Sequence, residues 1–595
     1  MNRLAKICLL AGLAIASAQP GLGAEKVLPQ GWSQQDRNGW YWGSQGSRLL
    51  PEAWFDALEQ PTSTAMLADP AFLATFGYLP APDGSHRYPI GFAIDRQDDD
   101  AFAVTKLRWY QGQRGGHQAE PWVGMNCSAC HTAQLTYKGT SFRVDGGPSL
   151  TDFQSLIETI DAALNATRSN QEKWNRFASR VLKGKDTATN RSLLQAELGR
   201  MIKWQERTDA LNTTPLRYGF GRVDAFGHIF NKIVLFSGSD NSMANPADAP
   251  VSFPFLWNIQ RQSSVQWNGI APNSKIRLRA GDFDYGAIGR NTGEVLGVFG
   301  EIMIAPQTGL FSSFGGYVSS VDIKNLNRME SLVKQLQPPK WPREFPPIDR
   351  KLASKGAALF EANCSNCHIS TTETHDTERM QLFRTASDKT DITDVWMACN
   401  AYTYAMRRGN LTDRNTKADD LIPVSDALTG AVKGAMYNRK TELIGIALGK
   451  IFGGDTPPPT VIDHVWSGGP RSIRDQRYRL CLNADNKFLA YKARPLDGIW
   501  ATAPYLHDGS VPTLYDLLLP AKERPRQFYV GNREYDPKRV GYVSDVDNGP
   551  ATFLFKTTDG DGGPIDGNGN QGHEYHVGSL SDADRWALVE YLKSL

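Results

Sequence analysis

Residues 127–131 read Cys-Ser-Ala-Cys-His, and residues 364–368 read Cys-Ser-Asn-Cys-His. A chain that carries this pattern twice must form two short turns, each presenting two thiols and one imidazole together. The spacing C-x-x-C-H is that of covalent haem c attachment. Two thiols reach the two vinyl groups of one porphyrin, and the adjacent imidazole reaches the iron from the same side. A C-x-x-C pair also suits zinc or thiol–disulfide chemistry. Neither alternative requires His at the next position, twice. The residues therefore point to two covalently bound c-type haems, one on Cys127, Cys130 and His131, the other on Cys364, Cys367 and His368.

The N-terminus agrees with such a cofactor. Met1 to Lys6 carries positive charge, residues 7–16 are apolar, and small residues follow at Ala16-Ser17-Ala18 and Gly23-Ala24. This is the pattern of a secretory signal peptide over residues 1–24, and it predicts a periplasmic protein. No later stretch is long enough to span a bilayer, so no transmembrane segment is expected. Of the 7 cysteines, Cys8 lies in the signal and four lie in the two motifs. Cys399 and Cys481 are left to pair or to stay as buried thiols; an oxidising compartment favours a disulfide. The net charge of +2 is nearly balanced, with no basic stripe, so nucleic acid is not an expected partner. Fifteen Trp and 26 Phe supply bulk to enclose two large flat cofactors.

Along the chain, residues 25–120 read as an N-terminal wrapping segment and 121–336 as a first, catalytic haem domain. The run 337–348, rich in proline, cannot continue the helix expected over 322–335 and reads as a linker. Residues 349–595 read as a second, electron-transferring haem domain. Helices are also expected over 150–164 and 195–211, before Cys364, and from Ser581 as N-cap. A small hairpin is expected around 137–148. The fold class expected is mainly α with long ordered loops, as two tandem cytochrome-c-like haem domains. The Asp/Gly/Asn run 559–570 offers oxygen ligands for Ca²⁺ but lacks EF-hand spacing, and reads better as a solvated loop.

Each haem iron needs a decision about its far side. Two strong ligands give electron transfer, while an open position admits O₂ or peroxide. The free candidates are His86, His117, His228, His375, His464, His507, His573 and His576, with 11 Met besides. His228 falls on or beside an apolar helical face built by Val223, Phe226, Ile229, Phe230 and Ile233. It is either a core residue or, beside an open haem, a sixth ligand or distal acid/base.

The tandem motifs, the stretch Gly356 to Phe360 and the loop Ala503-Pro-Tyr-Leu-His-Asp-Gly509 resemble the bacterial dihaem cytochrome c peroxidase superfamily, and more closely its rubber-oxygenase-like branch. Further resembling stretches include Tyr41 to Ser47, Asp145 to Pro148, Gln266-Trp-Asn268, Arg290 to Glu294 and Gly572-His-Glu-Tyr575. That branch contains enzymes that cleave polyisoprene with O₂, and relatives that act on unsaturated fatty acids as dioxygenases or hydroperoxide isomerases. The resemblance implies His131 as proximal ligand of a first haem that is open on its far side. It implies His368 and His573 as the two ligands of a second, with His576 a rival for the latter role. It places Trp267 between the haems and Ala225, Phe226, His228, Ile229, Ala287 and Ile288 around the first. His228, Trp267 and Ile288 are then the residues expected to act in catalysis. His228 and Ile288 depart from the rubber-cleaving pattern, and Ala521 stands where the peroxidases carry a Met ligand. The resemblance thus implies oxygenation of an unsaturated lipid, foremost a long-chain fatty acid, with O₂. The alternatives are a fatty-acid hydroperoxide isomerase, or a peroxidase fed by a small electron-transfer cytochrome.

Overall fold

The structure, a computed structural model, describes residues 25–82, 84–114, 119–239, 245–273, 285–308, 316–368, 379–381, 393–439, 470–483 and 489–595. The expected signal peptide and His117, His375 and His464 lie outside the described residues. Around the first motif the chain forms β1 (Glu25–Val27), α1 (Gln34–Trp42), β2 (Leu50–Pro51), β3 (Phe92–Asp95), β4 (Trp122–Met125), β5 (Thr132–Tyr137) and β6 (Thr140–Asp145). Helices follow: α2 (Phe153–Ser169), α3 (Ala188–Leu211), α4 (Ala225–Phe236), α5 (Tyr285–Gly297) and α6 (Ile323–Gln335). The second motif is framed by α7 (Arg350–Asn363), α8 (Trp396–Thr403), α9 (Val424–Asn438), α10 (Pro470–Asn483) and α11 (Asp582–Leu592).

The expectation of a mainly α fold is overturned: 41% of the described residues are helical, and 13% are strand in several small sheets. A hairpin forms earlier than expected: β5 and β6 span 132–145 rather than 137–148, with Thr132 opposite Asp145 and Tyr137 opposite Thr140. Lys138 and Gly139 both have positive φ (49° and 77°), as a tight two-residue turn between twisted strands requires. β1 pairs in parallel with β6, and β4 lies between β2 and β3. These strands have two to six residues, too few for their alternation to stand out from loop.

Two tandem domains are likewise not what forms. One hydrophobic cluster runs through Leu28, Phe142, Trp257, Phe345, Trp500 and Leu592, so both ends of the chain share a core. Main-chain contacts agree: Thr136 N–H donates to the Arg533 carbonyl at 2.7 Å, and the Arg533 guanidinium donates to the Gly77 carbonyl at 2.7 Å. The proline-rich run takes part in this core. Phe345 packs on Phe142 and Tyr535, each at 5.4 Å between ring centres, and Trp500 Nε1 donates to the Pro339 carbonyl at 3.0 Å.

Helix starts follow capping chemistry. Asp152, Asp322 and Ser581 accept backbone N–H bonds at the starts of α2, α6 and α11. Cys399 on α8 and Cys481 on α10 form a disulfide, Cα to Cα 5.8 Å, rather than two thiols. α7 lies on α11 at Gly356, where an added Cβ collides with the Ala587 carbonyl oxygen. Phe360 and Tyr591 pack one turn along, ring centres 5.3 Å apart. Gly356→Ala must separate these helices, and should lower stability by about 1–3 kcal/mol as a fall in the denaturant midpoint. An unchanged midpoint means the crossing is looser than described.

Candidate haem-attachment sites

Both motifs adopt the same turn. The His131 N–H donates to the Cys127 carbonyl, and the His368 N–H to the Cys364 carbonyl, each at 2.9 Å. The bond closes one helical turn, which brings two thiols and an imidazole together. The first turn sits between β4 and β5. Its Asn126 side chain caps Ser128 N–H and donates to the carbonyls of Trp40, Tyr41 and Gly43 at 3.0, 3.3 and 2.9 Å. The second continues from the C-terminal end of α7, with the Cys364 N–H bonded to the Phe360 carbonyl at 2.8 Å. All four motif cysteines are free thiols and partly accessible. Burial pushes Cys127 and Cys130 up to about 12 and Cys364 up to about 11. Such thiols are poor thiolates, which argues against a redox pair. Among the described residues, neither motif gathers three metal-ligating side chains within 4.8 Å.

At the second motif the imidazole is fixed. His368 Nδ1 bonds to the Arg494 carbonyl at 2.7 Å. This sets Nδ1 as the protonated nitrogen and leaves Nε2 free to ligate, the usual outer support of a metal-bound histidine. The His573 ring lies 6.1 Å from the His368 ring, centre to centre. Two metal–imidazole bonds of about 2 Å each, plus the half-ring on either side, make up such a span. The site thus fits a metal held between two imidazoles. His573 has φ of +54° and Gly572 before it φ of +80°, on a loop pinned by Arg524. The Arg524 guanidinium donates to the carbonyls of Asn570 and Gly572 at 2.6 and 2.8 Å. Ala521 N–H adds a bond to the Glu574 carboxylate at 2.8 Å. His576 is exposed. His507 is buried and stacks on Tyr491 with ring centres 4.0 Å apart.

Cys364, Cys367, His368 and His573 border one cavity of about 210 Å³, well beyond what a water needs. Its far wall includes Trp267, Phe253 and Arg494. Trp267 Nε1 donates to the Ser252 carbonyl at 2.8 Å, and the Arg494 guanidinium lies 5.1 Å from its ring. Phe253 also touches the first site, its ring 6.2 Å from His131. Phe253 therefore joins the wall of the second site to the first, and Trp267 lines that wall on the side of the second.

His131 has no second imidazole at ring-contact distance among the described residues, and its Nδ1 has no partner in hydrogen-bond geometry. The Pro254 carbonyl is close enough only to oppose in part the burial that pulls His131 down to about 4. His228 on α4 sits between Phe153 and Tyr218, ring centres 5.6 and 6.1 Å away, with the Tyr218 hydroxyl 3.5 Å from Nε2. Burial first and Lys232 second pull it down to about 4, so it is neutral near pH 7. Ile288 is fully buried among Ile229, Phe230 and Ile233, a packing position between α4 and α5. The 559–570 run turns on itself: the Asp559 carboxylate accepts the N–H groups of Asp561 and Gly563. Arg494, Arg524 and Glu294 were not foreseen. Glu294 is held by Gln266 Nε2 at 2.6 Å, and its charge acts on Cys127 and Cys130. Isolated polar residues of this kind have no periodicity to mark them.

If His573 is the second axial ligand, His573→Ala should turn that haem's absorption spectrum high-spin, and His576→Ala should leave it unchanged. The reverse result reverses the assignment.

A family profile described as RoxA-like, cytochrome c-like, matches residues 490–529, the stretch that holds Arg494 and His507. The cytochrome c-like segment is thus confined to the C-terminal part, which completes the correction of the tandem-domain expectation. Over 602 aligned residues the chain is 31% identical to the uncharacterized protein y4iJ of Sinorhizobium fredii (strain NBRC 101917 / NGR234), covering 96% of this chain and 93% of that one. It is 25% identical over 388 residues to the uncharacterized protein y4iM of the same organism, covering 60% of this chain and 68% of that one.

Proposed function

The chain belongs to the family of the Sinorhizobium fredii y4iJ protein and is a RoxA-like haem c oxidoreductase; from this premise we propose that it oxygenates an unsaturated lipid, a long-chain fatty acid, with O₂. In this reading two haems are attached, at Cys127, Cys130 and His131 and at Cys364, Cys367 and His368. The observation that carries it is an asymmetry. His368 faces a second imidazole at 6.1 Å, and His131 faces none among the described residues. A haem with two strong ligands exchanges electrons, whereas one with a single strong ligand offers an open position to O₂ or peroxide.

The chain's own groups then divide the work. His131 and His368 orient the two cofactors, and His573 closes the second to other ligands. Trp267, against the cavity wall, lies on the route between them. α4 and α5 pack an apolar core between them, Ile288 among its buried residues. Export through the N-terminal signal places the protein in the periplasm, where haem c is attached and a small cytochrome is available as a partner.

A second reading, hydroperoxide isomerisation, draws support from His228. The Tyr218 hydroxyl donates to the Ala247 carbonyl at 2.5 Å, which leaves its oxygen as an acceptor toward His228 Nε2, and a neutral imidazole can accept a proton on its other nitrogen and return it. The discriminating experiment is mass analysis of products from oleate under ¹⁸O₂. Two labelled oxygens in a hydroperoxide are expected of the dioxygenase. Inertness toward oleate, with unlabelled conversion of a fatty-acid hydroperoxide, selects the isomerase. Activity only with peroxide and a reduced cytochrome selects a peroxidase and sinks both lipid readings.

A further inference from the structure

Arg494 is a buried cation without an anion. It is 7% exposed. Its Nη2 donates to the Phe255 carbonyl at 2.8 Å, while Nε and Nη1 are buried with no hydrogen-bond partner. The guanidinium carbon lies 3.9 Å from the Phe255 ring centre and 5.1 Å from that of Trp267. Two unanswered nitrogens on a buried charge are costly unless something pairs with them. Other buried arginines of the chain are answered. Arg143 also has orphan nitrogens, but Glu25 pairs its charge. Arg222 reaches Asn568 and main-chain carbonyls, and Arg524 reaches a set of carbonyls. Arg494 borders the cavity that holds Cys364, Cys367 and His368, and its carbonyl is the group that fixes the His368 ring.

An arginine fork matches a carboxylate better than any other common ligand. The reading of Cys364, Cys367 and His368 as a haem site brings carboxylates to this cavity on the porphyrin itself. We propose that Arg494 anchors a porphyrin propionate through a free N–H donor, at Nε or at Nη1, so that one residue positions the ligating imidazole through its backbone and the porphyrin edge through its side chain. Its contacts with Phe255 and Trp267 hold the guanidinium in place before the porphyrin arrives. Arg494 acts through the cofactor's position and charge and is a positioning residue. Because Trp267 and Phe253 share the wall with it, the same fork faces the route between the two sites. The propionate it takes belongs to the haem of His368 or to that of His131.

The inference rests on the haem reading, and its test separates the two. Holoprotein with wild-type residue, Arg494→Leu and Arg494→Lys is titrated potentiometrically, with each haem followed by its own absorption. Peptide mass first establishes whether haem is attached at Cys364 and Cys367; its absence from the wild type overturns the haem reading and this proposal with it. With both haems attached, Arg494→Leu should shift one midpoint to lower potential, because a positive charge near the iron is lost. A tenfold change in the reduction equilibrium is about 59 mV for one electron. The same midpoint should acquire a pH dependence as the unpaired propionate titrates, and Arg494→Lys should fall between. Which midpoint moves assigns the propionate to its haem. Unchanged potentials and pH profiles in Arg494→Leu overturn the proposal. Should that variant not accumulate, Arg494→Gln takes its place: it keeps a polar side chain but loses the charge, so the same midpoint should fall, and unchanged potentials overturn the proposal.

Discussion

One backbone hydrogen bond sets the terms for the rest of the molecule: histidine N–H to the carbonyl of the first cysteine, 2.9 Å in both motifs. It folds five residues into a turn from which two sulfurs and an imidazole emerge together. A turn so short has little stability of its own, so the surroundings must hold it. The first is held by Asn126, whose side chain reaches three carbonyls at the end of α1. The second is held by α7, which is kept in place by its close crossing with α11 at Gly356. Both supports lead back to one core that runs from Leu28 to Leu592.

Burial around these turns selects the chemical form of each group. His131, His368 and His573 are all pulled below the ordinary histidine range, mainly by burial, and stay neutral. Neutral imidazole is the form that ligates a metal. The same burial raises the motif thiols. The polar groups that answer the buried imidazoles are mostly main-chain carbonyls, such as that of Arg494 on His368. Carbonyls orient the ring without adding charge to the site.

Much of the local structure was legible. Asp322 and Ser581 mark helix starts because a side-chain oxygen outside the first turn is what an unpaired N–H needs. The helix into Cys364 follows from periodicity, whereas the hairpin after His131 was expected several residues too late, its turn lying at Lys138-Gly139 rather than at Gly146-Gly147-Pro148. The small sheets were not legible. Pairs such as β1 with β6 and β2 with β4 join short segments far apart in the chain, and nothing in either segment names its partner. The tandem-domain expectation failed for the same reason. Two copies of a five-residue motif suggest two units, yet Phe345, in the run read as a linker, is buried between residues of both halves.

The sequence by itself determined where two thiols and an imidazole emerge together, because C-x-x-C-H is a local pattern whose reach is set by one turn of backbone. It also determined which residues compete for the remaining ligand places, because histidines are few. Only the tertiary structure gives their distances. The His573 ring lies 6.1 Å from that of His368, while His576, more exposed, borders the same cavity. Arg494, 126 residues from His368, supplies its carbonyl and an unanswered buried charge. Such contacts depend on how segments more than a hundred residues apart pack on one core, and neither spacing nor composition along the chain encodes that distance.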